Sequence, residues 1–402
     1  LALAAIYKHG KRQDILQYAS SMLRVVTMPK LKESKNMQIR KLTIKIIQRL
    51  GLTFLKAKVA TWRYQRGCRS LALTLGGASD AKIPKKEENH NSAETEEETE
   101  EDEDFDELYQ EDIETVIEEL LEGLKSSETI IRWSAAKGIG RITGRLPKDF
   151  ADEVVSSLLQ LFDLKESDGA WHGGCLAIAE LARRGLLLPE RLEEVVRITE
   201  LAFVYDERRG NFSVGSHVRD AACYVSWSLA RAFSPKVLTP FLPQIAAALL
   251  TVAVFDREVN CRRAASASFQ ENVGRQGADC LPNAIDILTT VDYHAVGSRP
   301  KCFTVLSLKL ANYDRQLYGR PLIRHLLKKK VGHWDGAVRE LTALSMGCMA
   351  KDSILHLDIS HSVLPELLKN VEETRDLYTR HGSIIAIGQI VSGISENITG
   401  CA

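Results

Sequence analysis

Histidine, cysteine and glycine are the residues in this sequence that could build a metal centre, a nucleophile or a phosphate-binding loop. The ten histidines and eight cysteines are scattered, with no Cys-x-x-Cys or Cys/His spacing of a zinc site. Gly138, Gly140 and Gly144 lie in a helical pattern and do not follow a strand, as a nucleotide-binding loop requires. No serine-hydrolase or zinc-protease motif occurs. The sequence therefore predicts a protein that is not an enzyme and that uses no metal or cofactor.

A short pattern, an apolar residue followed by a basic residue and small apolar residues, returns about every forty residues. Its basic residues are Arg132, His172, Arg219, Arg262, Arg339 and Arg380, at intervals of 40, 47, 43, 77 and 41 residues. The interval of 77 corresponds to two units with one degraded copy near residues 299–303. Periods of about 40–47 residues are typical of HEAT and armadillo arrays. The sequence predicts an all-α fold, a HEAT/armadillo-type α-solenoid of paired antiparallel helices.

Acidic residues indicate why the basic residues recur. An acid precedes the basic residue by four positions in five copies: Glu128/Arg132, Asp168/His172, Glu258/Arg262, Asp335/Arg339 and Asp376/Arg380. Acids at a helix start accept backbone donors, and each acid-to-base pair adds about 0.2–0.5 kcal/mol to helix stability. The arginines at 132, 219, 262, 339 and 380 are therefore interpreted as structural, so that their substitution should lower stability.

Two tryptophan–histidine pairs are candidate partner contacts. Trp171-His172 and His333-Trp334 lie near repeat helix starts, and tryptophan and arginine are enriched in interface hot spots. The alternative is that these four residues pack or cap within the array.

Charge divides the chain into three predicted parts. Residues 1–75 carry sixteen Lys and Arg against two acids, whereas positions 94–107 hold eleven acids. Such an acidic block repels itself and cannot bury apolar area. We expect a basic helical repeat segment at 1–76, an acidic disordered insertion at 77–107, and a HEAT-repeat array of about seven repeats at 108–402.

The charged parts leave several roles open. The insertion is either a solvated loop without a role or a segment that folds back over the basic segment. Alternatively, the basic segment binds an acidic partner, with Arg63, Arg66 and Arg69 as candidate contacts. Nucleic acid is disfavoured, because no RRM, KH or zinc-finger pattern is visible and the nearby aromatics form no stacking series.

No membrane span is expected. The longest uncharged stretch, 237–255, is divided by Pro240 and Pro243, which favours a buried repeat helix. Scattered cysteines without a disulfide pattern favour a reducing, cytoplasmic compartment. The chain starts without methionine and stops within the repeat pattern, so we expect a portion of a longer protein.

Several long blocks carry a family resemblance. They are residues 62–71, 131–141, 214–225, 253–267, 269–277, 285–290, 333–336 and 380–384. In order along the chain, these blocks resemble the tubulin-specific chaperone D family, also called tubulin-folding cofactor D. The resemblance indicates the N-terminal to central repeats of that longer protein.

The resemblance implies a non-enzymatic chaperone. Members capture β-tubulin and assemble or take apart the αβ-tubulin heterodimer with cofactors C and E and an Arf-like small GTPase. They also promote GTP hydrolysis by tubulin, and we expect a cytoplasmic location with association at the cytoskeleton or centrosome. The alternative is a HEAT-repeat scaffold for another complex, of the nuclear-transport or phosphatase type.

Overall fold

Helices account for most of the structure, a computed structural model that describes residues 1–57, 60–66 and 107–399. The first five are α1 (Ala2–His9), α2 (Arg12–Leu16), α3 (Ala19–Val26), α4 (Pro29–Lys32) and α5 (Met37–Phe54). The next ten are α6 (Gln110–Leu124), α7 (Thr129–Thr143), α8 (Lys148–Leu159), α9 (Asp168–Arg183), α10 (Leu192–Phe203), α11 (Ser216–Ala232), α12 (Pro235–Leu238), α13 (Leu242–Phe255), α14 (Val259–Gln276) and α15 (Ala284–Thr290). The last seven are α16 (Arg299–Lys301), α17 (Ser307–Tyr313), α18 (Arg320–His325), α19 (Gly336–Lys351), α20 (His356–Asp358), α21 (Leu364–Glu373) and α22 (Leu377–Thr399).

The long helices form two layers. Helices α5, α7, α9, α11 and α14 lie side by side in one layer, which we call the inner layer, and α19 and α22 continue it. Helices α6, α10, α13 and α21 each pack against a helix of that layer. This arrangement confirms the predicted α-solenoid. Helix α5 belongs to the same layer, so the basic segment packs directly on the array.

Small residues let the inner helices approach closely. Helix α9 is buried along nearly its whole length, and a Cβ added at Gly173 would lie 2.1 Å from the Leu124 carbonyl oxygen. Its neighbour Gly174 packs against the Phe162 ring. Gly138 in α7 likewise lies against Leu120, so the glycine cluster of the sequence serves helix packing and not nucleotide binding.

The apolar stretch Pro235–Phe255 has the length and mean hydropathy, 1.9, of a membrane-spanning helix. Within the fold its helix α13 belongs to the core, with Leu249, Leu250 and Phe255 fully buried. A buried core helix of an array satisfies the same length and hydropathy test.

The regions 284–331 and 356–363 are less regular than the rest. Short helices there alternate with π-helical segments at Cys302–Leu306, Arg315–Gly319, Leu326–Lys330 and Ile359–Val363. The degraded repeat copy expected near 299–303 falls in the continuous helical stretch from α16 to α17. The predicted boundaries at 76 and 107 stay predictions, since residues 67–106 lie outside the described part.

One β-hairpin interrupts the helical fold. Strands β1 (Glu207–Arg209) and β2 (Phe212–Val214) pair antiparallel, with Arg209 opposite Phe212. The two-residue turn begins with Gly210 at a φ of 65°, a left-handed conformation that glycine adopts without strain. The hairpin lies between α10 and α11 and was not predicted from the sequence.

Candidate functional site

The recurring arginines join each inner helix to the loop before it. Arg132 donates to the carbonyls of Ser126 and Ser127 at 2.6 and 2.9 Å. The same six- and five-residue offsets recur where Arg262 donates to the carbonyls at 256 and 257 and where Arg339 donates to those at 333 and 334. Arg219 and Arg380 reach the carbonyls of Tyr205 and Thr374. We call these five residues, at 132, 219, 262, 339 and 380, the arginine staples.

The Nε atoms of four staples reach the following repeat. Arg132 donates to His172 Nδ1 at 2.8 Å, and Arg339 donates to His381 Nδ1 at 3.2 Å. Arg262 donates to the Val296 carbonyl at 2.7 Å. The staples therefore run as a chain along the edge where the inner helices begin, which we call the loop edge. At Arg380, in the last described helix, Nε has no hydrogen-bond partner among the described residues.

Arg219 is the staple that pairs with a buried carboxylate. Its guanidinium bonds both carboxylate oxygens of Asp256, at 2.5 and 3.2 Å, and both side chains are more than nine-tenths buried. A buried carboxylate left without its cation costs several kcal/mol, so this pair holds two repeats together.

Two copies of the repeat use a different residue at the staple position. His172 takes the place of arginine in α9, and Cys302 takes it in the degraded copy, forty residues after Arg262. The Cys302 thiol lies 3.5 Å from the Val296 carbonyl, which has the same six-residue offset. Near residues 299–303, Cys302 is thus the residue that matches the pattern.

The hairpin crosses the loop edge and contacts distant repeats. Arg209 pairs with Asp168 at 2.8 Å. Arg208 lies over the Tyr378 ring at 4.6 Å and donates to its hydroxyl at 3.0 Å. Residues 168 and 378 belong to α9 and α22, so the hairpin connects helices that are far apart along the array.

Behind the hairpin lies a polar cavity of about 260 Å³, the hairpin pocket. Its charged lining residues are Asp206, Arg208, Arg219, Asp256, Arg257, Lys329, Lys330, His333 and Asp376. Burial raises the pKa of Asp206, but hydrogen bonds from His333 and Ser213 and the charge of Arg219 outweigh it, and the pKa is lowered to about 2. For Lys330, burial disfavours the charged ammonium and lowers the pKa below its ordinary value. At neutral pH the pocket therefore holds the Asp206 carboxylate, 3.5 Å from the Arg219 guanidinium.

The four predicted partner residues at this edge take internal positions. Trp171, His172 and His333 are buried, and only Trp334 is partly exposed. The Trp171 indole donates to the Asp163 carbonyl, and His333 Nδ1 accepts the backbone N–H of Asp335. The structure brings His333 and Trp334 into the hairpin pocket and leaves Trp171 and His172 elsewhere. Their partner-binding role stays a prediction.

An extended segment, residues 60–66, crosses the opposite edge of the array, and we call it the strap. Its backbone and side chains donate to carbonyls at the ends of successive inner helices: Gly144, Leu146, Gly185, Ala230, Arg231 and Arg275. These are the carbonyl groups that a helix C-terminus leaves without partners. Arg66 makes three of these contacts, whereas the Arg63 side chain is exposed. Arg69 lies outside the described residues.

Sequence reasoning missed the hairpin and its reach to Tyr378. A signal was present, because Glu207 to Val214 contains a Gly-Asn turn between two short polar and apolar runs, which is typical of a two-residue hairpin. The contact with Tyr378 has no such signal, since it joins residues 170 positions apart.

Helix pairs stacked side by side into an array define an α-solenoid of the HEAT/armadillo type. The family model described as "Tubulin-specific chaperone D-like, ARM repeats" matches residues 38–285. The chain belongs to this family.

Two curated relatives agree with the family. One from Dictyostelium discoideum, named tubulin-specific chaperone D, is 42% identical over 405 residues, which cover 98% of this chain and 27% of the relative. One from Schizosaccharomyces pombe, named tubulin-folding cofactor D, is 25% identical over 362 residues, covering 86% of this chain and 30% of the relative. The chain spans less than a third of these relatives.

Solved repeat-protein structures are distant. The karyopherin Kap121p bound to the C-terminus of the phosphatase Cdc14p is 13% identical with a TM-score of 0.39, covering 90% of this chain and 36% of that one. A designed armadillo repeat protein is 13% identical with a TM-score of 0.28, covering 68% of this chain and 99% of that one. Both structures are too distant to indicate a function for this chain.

Replacing Arg219 by alanine should destabilise the protein by about 3–5 kcal/mol, because Asp256 would be left buried and unpaired. The control is Arg257→Ala in the same pocket, where a contact over the Trp334 ring and a partly exposed pair with Glu258 are lost at a cost of about 1 kcal/mol. Urea unfolding of both variants measures the difference. Equal effects of the two substitutions would contradict the assignment of Arg219 as a staple.

His172 should make stability depend on pH. Burial and the nearby charge of Arg132 lower its pKa from 6.5 to about 3. In the unfolded chain the His172 imidazole binds a proton more readily than in the folded protein. The free energy of unfolding is therefore highest above pH 6.5 and decreases as the pH falls towards 3. When the pH falls from 7.5 to 5.0, the free energy of unfolding of His172→Gln should decrease by about 2 kcal/mol less than that of the wild type.

Urea unfolding at the two pH values tests this effect. Glutamine offers an oxygen to the Arg132 Nε and does not titrate. His217 and His325, whose pKa values are also lowered by burial, are present in both proteins, so their contribution cancels. Identical pH dependence in the two proteins would show that His172 is not held neutral.

Proposed function

We propose that this chain is part of a tubulin-folding cofactor and that its array contributes a binding surface for tubulin. The observation that supports it most strongly is the 42% identity, over nearly the whole chain, to a relative named tubulin-specific chaperone D. The role is that of a non-enzymatic chaperone that captures β-tubulin and assembles or takes apart the αβ-tubulin heterodimer. The scaffold alternative of the nuclear-transport or phosphatase type has no comparable support.

The architecture suits this role. A repeat array offers a long surface on which a large client is held by many modest contacts, each individually weak. The staples and the strap occupy the two edges of the inner helices, so the face between them is the continuous surface that remains open to a client.

The complete assembly is proposed to include cofactors C and E and an Arf-like small GTPase, and to promote GTP hydrolysis by tubulin in the cytoplasm, with association at the cytoskeleton or centrosome. A GTPase activator stabilises the developing charge at a nucleotide held by its partner. The five staple arginines are held by backbone carbonyls, so any arginine that contacts the nucleotide belongs to another position.

Co-elution of the 402-residue chain with native αβ-tubulin on size-exclusion chromatography tests the proposal. We expect a complex at ~50 mM salt that weakens at ~300 mM, because the exposed lysines and arginines of the basic segment attract an acidic client. The control is serum albumin, an acidic protein of similar size, which should elute separately at both salt concentrations.

Absence of a tubulin complex at both salt concentrations would overturn the proposal for this chain. A complex with albumin equal to that with tubulin would show attraction by charge alone and would also count against it.

A further inference from the structure

A cleft whose charged lining residues are all cations opens between the basic segment and the array. Its volume is about 590 Å³, and we call it the basic cleft. The cations that line it are Lys8, Arg63, Arg141, Arg145, Arg183 and Arg184, and the remaining lining residues are glycine, alanine and leucine. No carboxylate is among its lining residues. Residues up to 176 positions apart in the chain line the cleft together, so the tertiary fold brings these cations into one site.

Some of these cations have internal partners. Arg145 donates to the Leu52 carbonyl at 2.9 Å, and Arg183 and Arg184 both pair with the buried carboxylate of Glu180. The side chains of Lys8, Arg63 and Arg141 make no hydrogen bond or ion pair with any residue in the described ranges. Among the residues that the structure describes, these three cations of the cleft have no competing partner for an anion.

The positive charges affect one another. Burial and the nearby charge of Arg141 lower the pKa of Arg49. Burial and the charge of Arg12 likewise lower the pKa of Arg145. Cations held this close together raise the local positive potential, and an anion entering the cleft relieves their repulsion.

An aromatic stripe adjoins the cleft on the face of the inner layer. Trp133, Lys137 and Arg141 follow one another at four-residue spacing along one side of α7. Tyr224 and Trp227 of α11 are stacked at 5.8 Å, and the Tyr224 ring also lies 5.8 Å from Trp133. The stripe, Trp133, Tyr224 and Trp227, therefore crosses over α9 and meets the basic cleft at Arg141.

The arrangement of the rings distinguishes between two kinds of anionic partner. Lys137 lies over the Trp133 ring at 5.7 Å, and Arg231 lies over Trp227 at 4.5 Å. The bases of single-stranded nucleic acid bind by stacking on open aromatic faces. Each of these cation contacts covers one face of a ring, which leaves fewer faces open to a base. Ring edges carry partial positive charge and attract carboxylates. An acidic polypeptide fits this surface better than a nucleic acid.

We propose that the basic cleft and the aromatic stripe form one binding groove for an acidic polypeptide segment of a partner protein. Its Asp or Glu side chains bind Lys8, Arg63 and Arg141, and a further carboxylate lies against the ring edges of the stripe. That tubulin supplies the segment rests on the proposed function.

Arg141→Glu tests the groove, with Arg24→Glu as the matched control. Both arginines are exposed, lie in the last turn of a helix and undergo the same change of charge. The probes are fluorescent poly-L-glutamate, a twenty-nucleotide oligothymidylate and native αβ-tubulin, each titrated against the full chain. We expect Arg141→Glu to weaken poly-L-glutamate binding about tenfold and Arg24→Glu to weaken it less than about twofold. Arg141→Gln, which adds no negative charge, should give an intermediate loss.

Equal losses in the two charge-reversal variants would overturn the proposal, because binding would then follow net charge alone. Tighter binding of the oligonucleotide than of poly-L-glutamate, weakened by Arg141→Glu, would also overturn it in favour of nucleic acid. A parallel loss for tubulin supports tubulin as the partner. Loss of poly-L-glutamate binding with unchanged tubulin binding supports the groove and overturns only its assignment to tubulin.

Discussion

A buried guanidinium carries five N–H donors, and each needs an acceptor because water cannot reach it. In this array the acceptors are the carbonyls of the loop before each inner helix and a group in the following repeat, as at Arg262, which bonds the carbonyls at 256, 257, 296 and 297. One side chain therefore fixes a loop, a helix start and the position of the next repeat. Repeat arrays are stabilised by such nearest-neighbour contacts, and the remaining features of the structure depend on this one.

Because the staples fix the loop edge and the strap satisfies the carbonyls of the opposite edge, most polar groups at the ends of the inner helices are already occupied. The hairpin strengthens one side by joining Asp168 to Tyr378. On the face between the two edges the aromatic stripe meets Arg141, which has no hydrogen-bond or ion-pair partner among the described residues. In the proposed groove, the structural arginines support the binding surface but do not form it.

The period marks the staple positions, because each copy places a donor after the same loop. The pairing expected between these arginines and the acids four residues earlier does not form among the described residues, where the staples donate to loop carbonyls instead. The sequence pattern does not identify the position where a residue other than arginine contacts the loop carbonyl, as Cys302 does in the degraded copy. Trp171 and His172 were predicted as partner contacts on residue type, yet burial depends on how closely α9 packs between its neighbours. The strap, the basic cleft and the contact of Arg208 with Tyr378 join residues far apart in the chain, which no local pattern records.

The central claim is that the staples hold the repeats together locally, and hydrogen exchange of wild type and Arg262→Gln tests it most directly. The account predicts faster amide exchange in residues 256–262 and 293–302, where Arg262 joins two repeats, with unchanged exchange in α7 and α9. Unchanged exchange at that junction, or a uniform increase along the whole array, would contradict it.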